Sequence, residues 1–227
     1  MVQYTMNRIY FFGFFAVYLL FGFAAYAQSP QSLSAMQNWQ VGRNIEGRDG
    51  LDAANPFYDE AIRLCQLEID NNVATRDTYT IITWALRRQN RHSEVIALGQ
   101  RGLASFPDEF RIMQTMGESW FFLGNFNNSL HYMQMYTHAL PLGERSSVAF
   151  FFVGEIHRLT QRFHHADIAY TAAVALAPNL PLWWYRLATV RAAVGDMDEA
   201  IAAFEQVLRL NPNHQSAIQR LAQLRVQ

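Results

Sequence analysis

The chain has 227 residues, 51% hydrophobic, 14% aromatic and 16% charged, with a formal net charge of −1. This apolar fraction supports a packed core and excludes general disorder, and the length fits one domain or two small ones. The near-zero charge excludes a strongly basic nucleic-acid binder, so no nucleic-acid partner is expected. The single cysteine excludes a disulfide framework and a cysteine-built zinc site. All 18 basic residues are Arg, which excludes chemistry that needs a lysine amine, such as a Schiff base or a Walker phosphate loop.

The first element is a targeting segment. Arg8 precedes a nearly unbroken apolar run from Ile9 to Phe23, and Ala25-Tyr26-Ala27 follows before the polar Gln28-Ser29. A positive start, a short apolar run and small residues two apart predict a secretory signal peptide over 1–27, cleaved after Ala27. The alternative is an uncleaved anchor over 9–27, which approaches the roughly 20 residues of a bilayer span. The expected location is therefore exported and periplasmic, with membrane attachment only if the segment is kept. Cys65 is expected to be buried, since a spare thiol is a liability in an oxidising compartment.

Residues 28–75 predict an irregular helical N-terminal cap: a short helix over Ser32–Val41, a loop over 42–55, and a helix over Pro56–Asn71. The loop assignment rests on three glycines in VGRNIEGRDGLDAA. Ala61 and Cys65 fall in phase with the repeat columns described next.

The rest of the chain repeats. Pro107, Pro141, Pro178 and Pro212 are separated by 34, 37 and 34 residues, and each closes a helix-like stretch. Twenty-four residues before these prolines stand Thr83, Gly117, Gly154 and Ala188, all small or fairly small. Twenty-eight before stand Tyr79, Met113, Phe150 and Trp184, all large and apolar. Ala166 and Ala200 lie twelve before their prolines, Tyr170 and Phe204 eight before, and Gly124 and Gly195 seventeen before. Large and small residues four apart share one helix face, so the small one admits a partner helix and the large one fills the space beside it. Gly suits the turn between helices and Pro ends the second helix.

These columns resemble the tetratricopeptide repeat, W-x2-L-G-x2-Y, then A-x3-F, then P. The best copy is Trp184, Leu187, Ala188, Arg191, Ala200, Phe204 and Pro212; copies weaken toward the N-terminus. The resemblance implies an all-α, right-handed superhelical solenoid of antiparallel helix pairs. The repeats read as 76–109, 110–143, 147–180 and 181–214, with a longer loop at 143–146 and a capping helix over 215–227 that uses Ile218, Leu221, Ala222 and Leu224. It further implies that the first helix of each pair lines a concave face that holds a partner protein or extended peptide. Carried residue by residue, that face would present Asp77, Thr80, Trp84, Arg87 and Arg88 from the first repeat. Arg111, Gln114, Glu118, Phe121 and Phe122 would come from the second, Phe151, Glu155, Arg158 and Leu159 from the third, and Leu182, Tyr185 and Thr189 from the fourth. Aromatics among arginines are the residue types of binding hot spots, and an acidic or C-terminal carboxylate peptide would suit them. The Lys/Asn/Arg clamp used by carboxylate-gripping members of the family is not reproduced, because there is no Lys.

No catalytic constellation appears: there is no G-x-S-x-G, no H-E-x-x-H and no phosphate-cradling Gly loop. No enzyme activity, cofactor or metal is expected. His157, His164 and His165 read as surface or half-buried histidines, and Asn127-Asn128-Ser129 as a helix cap rather than a glycosylation acceptor. Trp183, beside the packing residue Trp184, reads as an exposed anchor or as packing on the loop at Pro181. The function expected is an exported scaffold for cell-envelope assembly. A structural subunit that self-associates or docks through its convex face or N-terminal cap is the alternative, as is a membrane-tethered adaptor.

Overall fold

The computed structural model describes residues 29–225, so the segment read as a signal peptide lies outside the described residues. Two compact units divide the chain. Of the first, which ends at Leu33, the described part is a single 3-10 turn at Pro30–Ser32. The second, from Ser34, holds eleven α-helices and, among the described residues, no strand. They are α1 (Ala35–Asp49), α2 (Leu51–Asp70), α3 (Arg76–Arg88), α4 (His92–Ser105), α5 (Phe110–Phe122), α6 (Phe126–Ala139), α7 (Ser146–Leu159), α8 (Phe163–Leu176), α9 (Pro181–Val194), α10 (Met197–Leu210) and α11 (Gln215–Leu224).

Each helix packs on the next along the chain. Beyond that, the substantial contacts are α1 with α3, α3 with α5, and α5 with α7. Helices α1, α3, α5 and α7 therefore form an inner row, while the even-numbered helices, each packed on its two neighbours along the chain, form the outer layer.

Two kinds of stop shape this pattern. Helices α2, α3, α5, α7 and α9 end in a left-handed residue: Asn72, Asn90, Gly124, Gln161 and Gly195. The amide after it bonds back into the last turn, as from Arg162 to the His157 carbonyl and from Asp196 to the Arg191 carbonyl. This satisfies carbonyls that a helix end would otherwise leave open. Four of these residues lie seventeen before the prolines, so the glycine column of the sequence extends to Asn90 and Gln161. Helices α4, α6, α8 and α10 instead end on a non-helical residue, Phe106, Leu140, Ala177 or Asn211, held out of the helical region by the proline that follows.

Close approach within a pair depends on the small column. A Cβ added at Gly42 would lie 2.8 Å from the Tyr58 ring, at Gly117 3.0 Å from Met133, and at Gly154 2.6 Å from Tyr170. The α3–α4 pair carries its small residues on the second helix: Gly102 admits Tyr79 of α3 and also Ile112 of α5, while Gly99 admits Met116 of α5, a close approach between one pair and the next. Thr83 fills the small position in α3 and turns its hydroxyl back onto the Tyr79 and Thr80 carbonyls.

The stretch 42–55, expected as a loop, is helical. A capping box between Ser34 and Gln37 starts α1, which continues to Asp49. The three glycines do three different things. Gly42 is a packing contact, Gly47 is an exposed position with open space around it, and only Gly50, at φ +90°, breaks the chain. Pro56 lies inside α2, exposed, rather than at its start. Helix α2 has 20 residues against 14 in α4 and α8. Tyr58 and Cys65 are seven residues apart, about two helical turns, so both fall on one buried face. The pairing across from α1 therefore belongs to Tyr58, while Cys65 repeats its direction two turns later. Helix α11 is rotated from expectation: Ala217 and Leu221 are buried against Ala203, Phe204 and Val207, while Ile218 and Ala222 are exposed.

Candidate functional site

The inner row opens into a cavity of about 330 Å³ between α1, α3, α5 and the loop joining α6 to α7. Trp39 and Arg43 enter from α1, Trp84, Arg87 and Arg88 from α3, and Arg111, Gln114, Thr115 and Glu118 from α5. Tyr136, Leu140, Glu144 and Arg145 close the remaining side.

An aromatic ladder forms one wall. The Trp39 and Trp84 rings lie 4.6 Å apart, tilted by 33°. The Arg43 guanidinium sits 5.2 Å over Trp39, and that of Arg111 5.9 Å over Trp84. Arg111 is held there by Glu109 at 2.7 Å and Asp77 at 2.9 Å. These bonds raise its pKa, Glu109 contributing most.

Two carboxylates anchor the arginines. Glu46 accepts from Arg88 at 2.7 Å and from the Tyr58 hydroxyl at 2.6 Å. Burial pushes the Glu46 carboxyl up, but the bonds from Arg88 and Tyr58 and the nearby charges outweigh it, and its pKa lies below the usual value. Glu118, its side chain only 2% exposed, takes Arg87 on one oxygen and Arg145, at 2.9 Å, on the other, with Gln114 donating as well. A buried charge needs this degree of pairing.

Six of the twelve residues at the core of the sequence reading thus meet around one cavity: Trp84, Arg87, Arg88, Arg111, Gln114 and Glu118. The other six do not. Thr80 is fully buried. Phe121 lies edge-on to Phe152 at 5.0 Å, and Phe151 stacks on Trp183 at 4.8 Å. Tyr185 stacks on His214 at 5.0 Å and meets Phe204. These aromatics are spent on packing between helices. Glu155 and Arg158 form a separate cluster with Arg186, in which Glu155 also accepts from the Tyr170 hydroxyl. Trp183 is buried against Phe151 rather than exposed or resting on the Pro181 loop.

Sequence reasoning does not reach Trp39, Arg43 and Arg145. The first two lie on α1, whose second half reads as a loop, and the third on the long loop. The signal that could have found Trp39 is its position three residues before Gly42, in a segment that already holds a Gly–x15–Tyr pair like Gly154 and Tyr170.

Elsewhere, no group of three or more His, Cys, Asp or Glu among the described residues converges as a metal site would require. His157 is buried, with its ring 5.2 Å from His165. The cap of α6 is Asn125, which accepts from the Asn128 amide, while Ser129 is buried and donates to the Gly117 carbonyl at 2.7 Å. No helix among the described residues is long and apolar enough to cross a membrane.

Residues 181–214 match the family model for the tetratricopeptide repeat. No curated protein matches the chain. Among solved structures, MamA from Desulfovibrio magneticus RS-1, taken from residue 41 to its end, is 15% identical at a TM-score of 0.62, covering 79% of this chain and 96% of that one. MamA from AMB-1 is 18% identical at 0.59, covering 78% and 98%. A thermophilic TPR protein of Thermus thermophilus is 16% identical at 0.58, covering 85% and 100%. At these identities the likeness concerns the fold: an all-helical stack of tetratricopeptide-type helix pairs.

Proposed function

We propose that this chain is an exported scaffold of tetratricopeptide type that binds a partner protein through an extended segment laid into the cavity between α1, α3 and α5. The observation that carries this reading is the convergence of residues from three successive inner helices on one aromatic and arginine-lined cavity. Such a preformed surface loses little conformational freedom when it takes up an extended chain. Aromatic and Arg side chains supply most of the binding energy in protein interfaces. Recognition, not catalysis, is the mechanism. Export rests on the run from Ile9 to Phe23 and the small residues Ala25 and Ala27, and a role in assembling the cell envelope rests on export together with the resemblance to the tetratricopeptide family.

Photo-crosslinking tests the site without disturbing the fold. A photoreactive residue replaces Leu140, at the cavity rim, or Ile168, 70% exposed on the outer helix α8. A partner adduct from position 140 alone supports the cavity. An adduct from position 168 alone shifts the reading to docking through the outer layer. Mass spectrometry of the mature N-terminus tests export: a chain beginning at Gln28 supports cleavage, and one that retains residues 9–27 supports the tethered form.

A further inference from the structure

The outer layer is not uniform. Its helices α2, α4 and α10 carry the charges of a solvated surface, among them Asp59, Arg63, Glu94, Arg101, Asp198 and Arg209, all exposed. Helix α6 has no Arg, Asp or Glu, and α8 has one, Asp167, which is spent on Arg191 at 2.8 Å. Both pack on α7 as its neighbours along the chain. A helix that is apolar on every side is normally buried, yet α8 stands at the surface with Ile168 70% and Leu176 40% exposed. Depletion of charge is what separates the core of a protein interface from ordinary surface.

The face of α8 that looks away from the core has a particular spacing. Opposite the buried Ala166, Ala169, Tyr170 and Ala173, helical geometry places His165, Ile168, Ala172 and Ala175. All but the half-buried Ala172 are exposed. These positions are three, four and three residues apart, the spacing of a seam between two helices. The spacing reads the same in both directions about the level of Tyr170. Two such helices laid antiparallel across a two-fold axis at that level would set Ile168 of each copy on Ala172 of the other, large against small. Leu176 would then meet His164.

We infer that the outer face of α8 is a self-association surface, at which two copies of this chain pair antiparallel through Ile168 and Ala172, with α6 beside it widening the contact. The occupant is a second copy because the face is complementary to its own image, as a two-fold contact requires. With Asp167 already paired to Arg191, the contact buries no lone charge. A lipid surface would call for basic and bulky aromatic anchors beside the apolar residues, and this face has none. One helix, about 21 Å long and about 10 Å across, presents about 300 Å² on one side, short of the roughly 800 Å² per partner of a stable interface. Helix α6, with Met135 exposed, adds to it, and the pairing is a reversible, concentration-dependent one. The cavity is lined mainly from α1, α3 and α5, so pairing through α8 leaves it free and gives the dimer two such cavities.

The test is sedimentation of the full chain over a rising series of concentrations, beside Ile168→Glu. The expected result is a monomer that passes to a dimer in the wild type. In Ile168→Glu, where each copy would bury a charge at the seam, the midpoint should move to about tenfold higher concentration or more. Because Ile168 is exposed, thermal unfolding of the variant should match that of the wild-type monomer. The register is read by mild oxidation of Ile168→Cys chains mixed with Ala172→Cys chains. The mixed pair should join faster than either variant joins to itself, and Cys65 is buried and takes no part. A chain that stays monomeric at every concentration, or a dimer that Ile168→Glu leaves unchanged, would overturn the inference. Equal rates for the three disulfides would overturn the antiparallel register. A monomer that binds neutral phosphatidylcholine vesicles and loses them in Ile168→Glu would assign the face to lipid and overturn the second copy. A photo-adduct from position 168 is sorted by mass: twice the chain marks self-pairing, and any other mass a different partner. The cavity, read from position 140, therefore stands or falls separately.

Discussion

Gly154 in α7 lies directly against the ring of Tyr170 in α8, and a Cβ placed on it would come within 2.6 Å of two ring carbons. The ring cannot retreat, because Tyr170 is fully buried and its hydroxyl is fixed on Glu155. Gly154→Ala is therefore expected to destabilise the fold by about 1–3 kcal/mol through overpacking, despite the better helix propensity of Ala. Gly47, exposed in α1 with nothing within 4 Å of a new Cβ, is the control. Gly47→Ala should stabilise by about 0.5–1 kcal/mol. Denaturant unfolding of the two variants checks both signs, and shifts in the same direction would contradict this account.

Gln161 occupies the position taken by Gly124 and Gly195 in other pairs, with φ at 58°. A side chain in the left-handed region carries a penalty of about 1–2 kcal/mol that Gly avoids. The Gln161 side chain is exposed and makes no hydrogen bond among the described residues that would offset it. Gln161→Gly should raise stability by about 1 kcal/mol, and Gly195→Ala should lower it by a similar amount. Thermal unfolding measures both; a destabilised Gln161→Gly would mean that the turn is not under this strain.

The solenoid from α3 onward is legible in the sequence because its signals are local and recur in phase: a proline stop, a turn residue and a small residue opposite a large one. The α1–α2 pair is hidden for two physical reasons. Glycine reads as a breaker, yet Gly42 serves packing and Gly47 is merely tolerated. The six extra residues of α2, relative to the other outer helices, also move its buried face by about two turns and displace the phase count without changing the face. The site is half legible. Helical periodicity places Arg87, Arg88, Arg111, Gln114 and Glu118 on the inner row. It does not tell an aromatic that lines a cavity, such as Trp84, from one buried between helices, such as Phe151, because both occupy inner-row positions. That distinction depends on which neighbour stands opposite, Trp39 in the first case and Trp183 in the second.

Trp183 puts that distinction to the test. It stacks on Phe151 with an interplanar angle of 14° and is 8% exposed. Trp183→Ala should cost about 3–5 kcal/mol, as for other large-to-small changes in a core. Where the variant stays folded, it should leave the crosslink from position 140 unchanged. A stable Trp183→Ala variant that loses the crosslink would make this residue an anchor for the partner instead.

The pH dependence of stability should fall in two steps. Burial, with lesser contributions from His165 and Arg162, depresses the pKa of His157. Burial also depresses the pKa of His92; the charge of Arg87 adds to this and that of Glu118 partly offsets it. Below about pH 6.5 the unfolded chain takes up protons on these histidines that the folded chain does not, so stability declines until their folded pKa values are passed. Glu155 has the opposite logic. Burial pushes its carboxyl up, but the bonds from Arg158 and Tyr170 and the charges of Arg186 and Arg158 more than cancel it, and the net pKa is lowered. The stability it contributes is complete above about pH 4.5 and is lost as pH falls through its folded value. His157→Gln should shrink the step below about pH 6.5 to the part that His92 contributes and leave the acid step in place. Glu155→Gln should shrink the acid step and lower the neutral plateau by about 3 kcal/mol, at the lower end for a broken buried pair because Arg158 and Arg186 keep some access to water. Unfolding midpoints measured from pH 8 to pH 3 for the three proteins separate the two steps. An unchanged profile in His157→Gln would show that its ring titrates alike in the folded and unfolded chains, contrary to the buried position it holds beside His165.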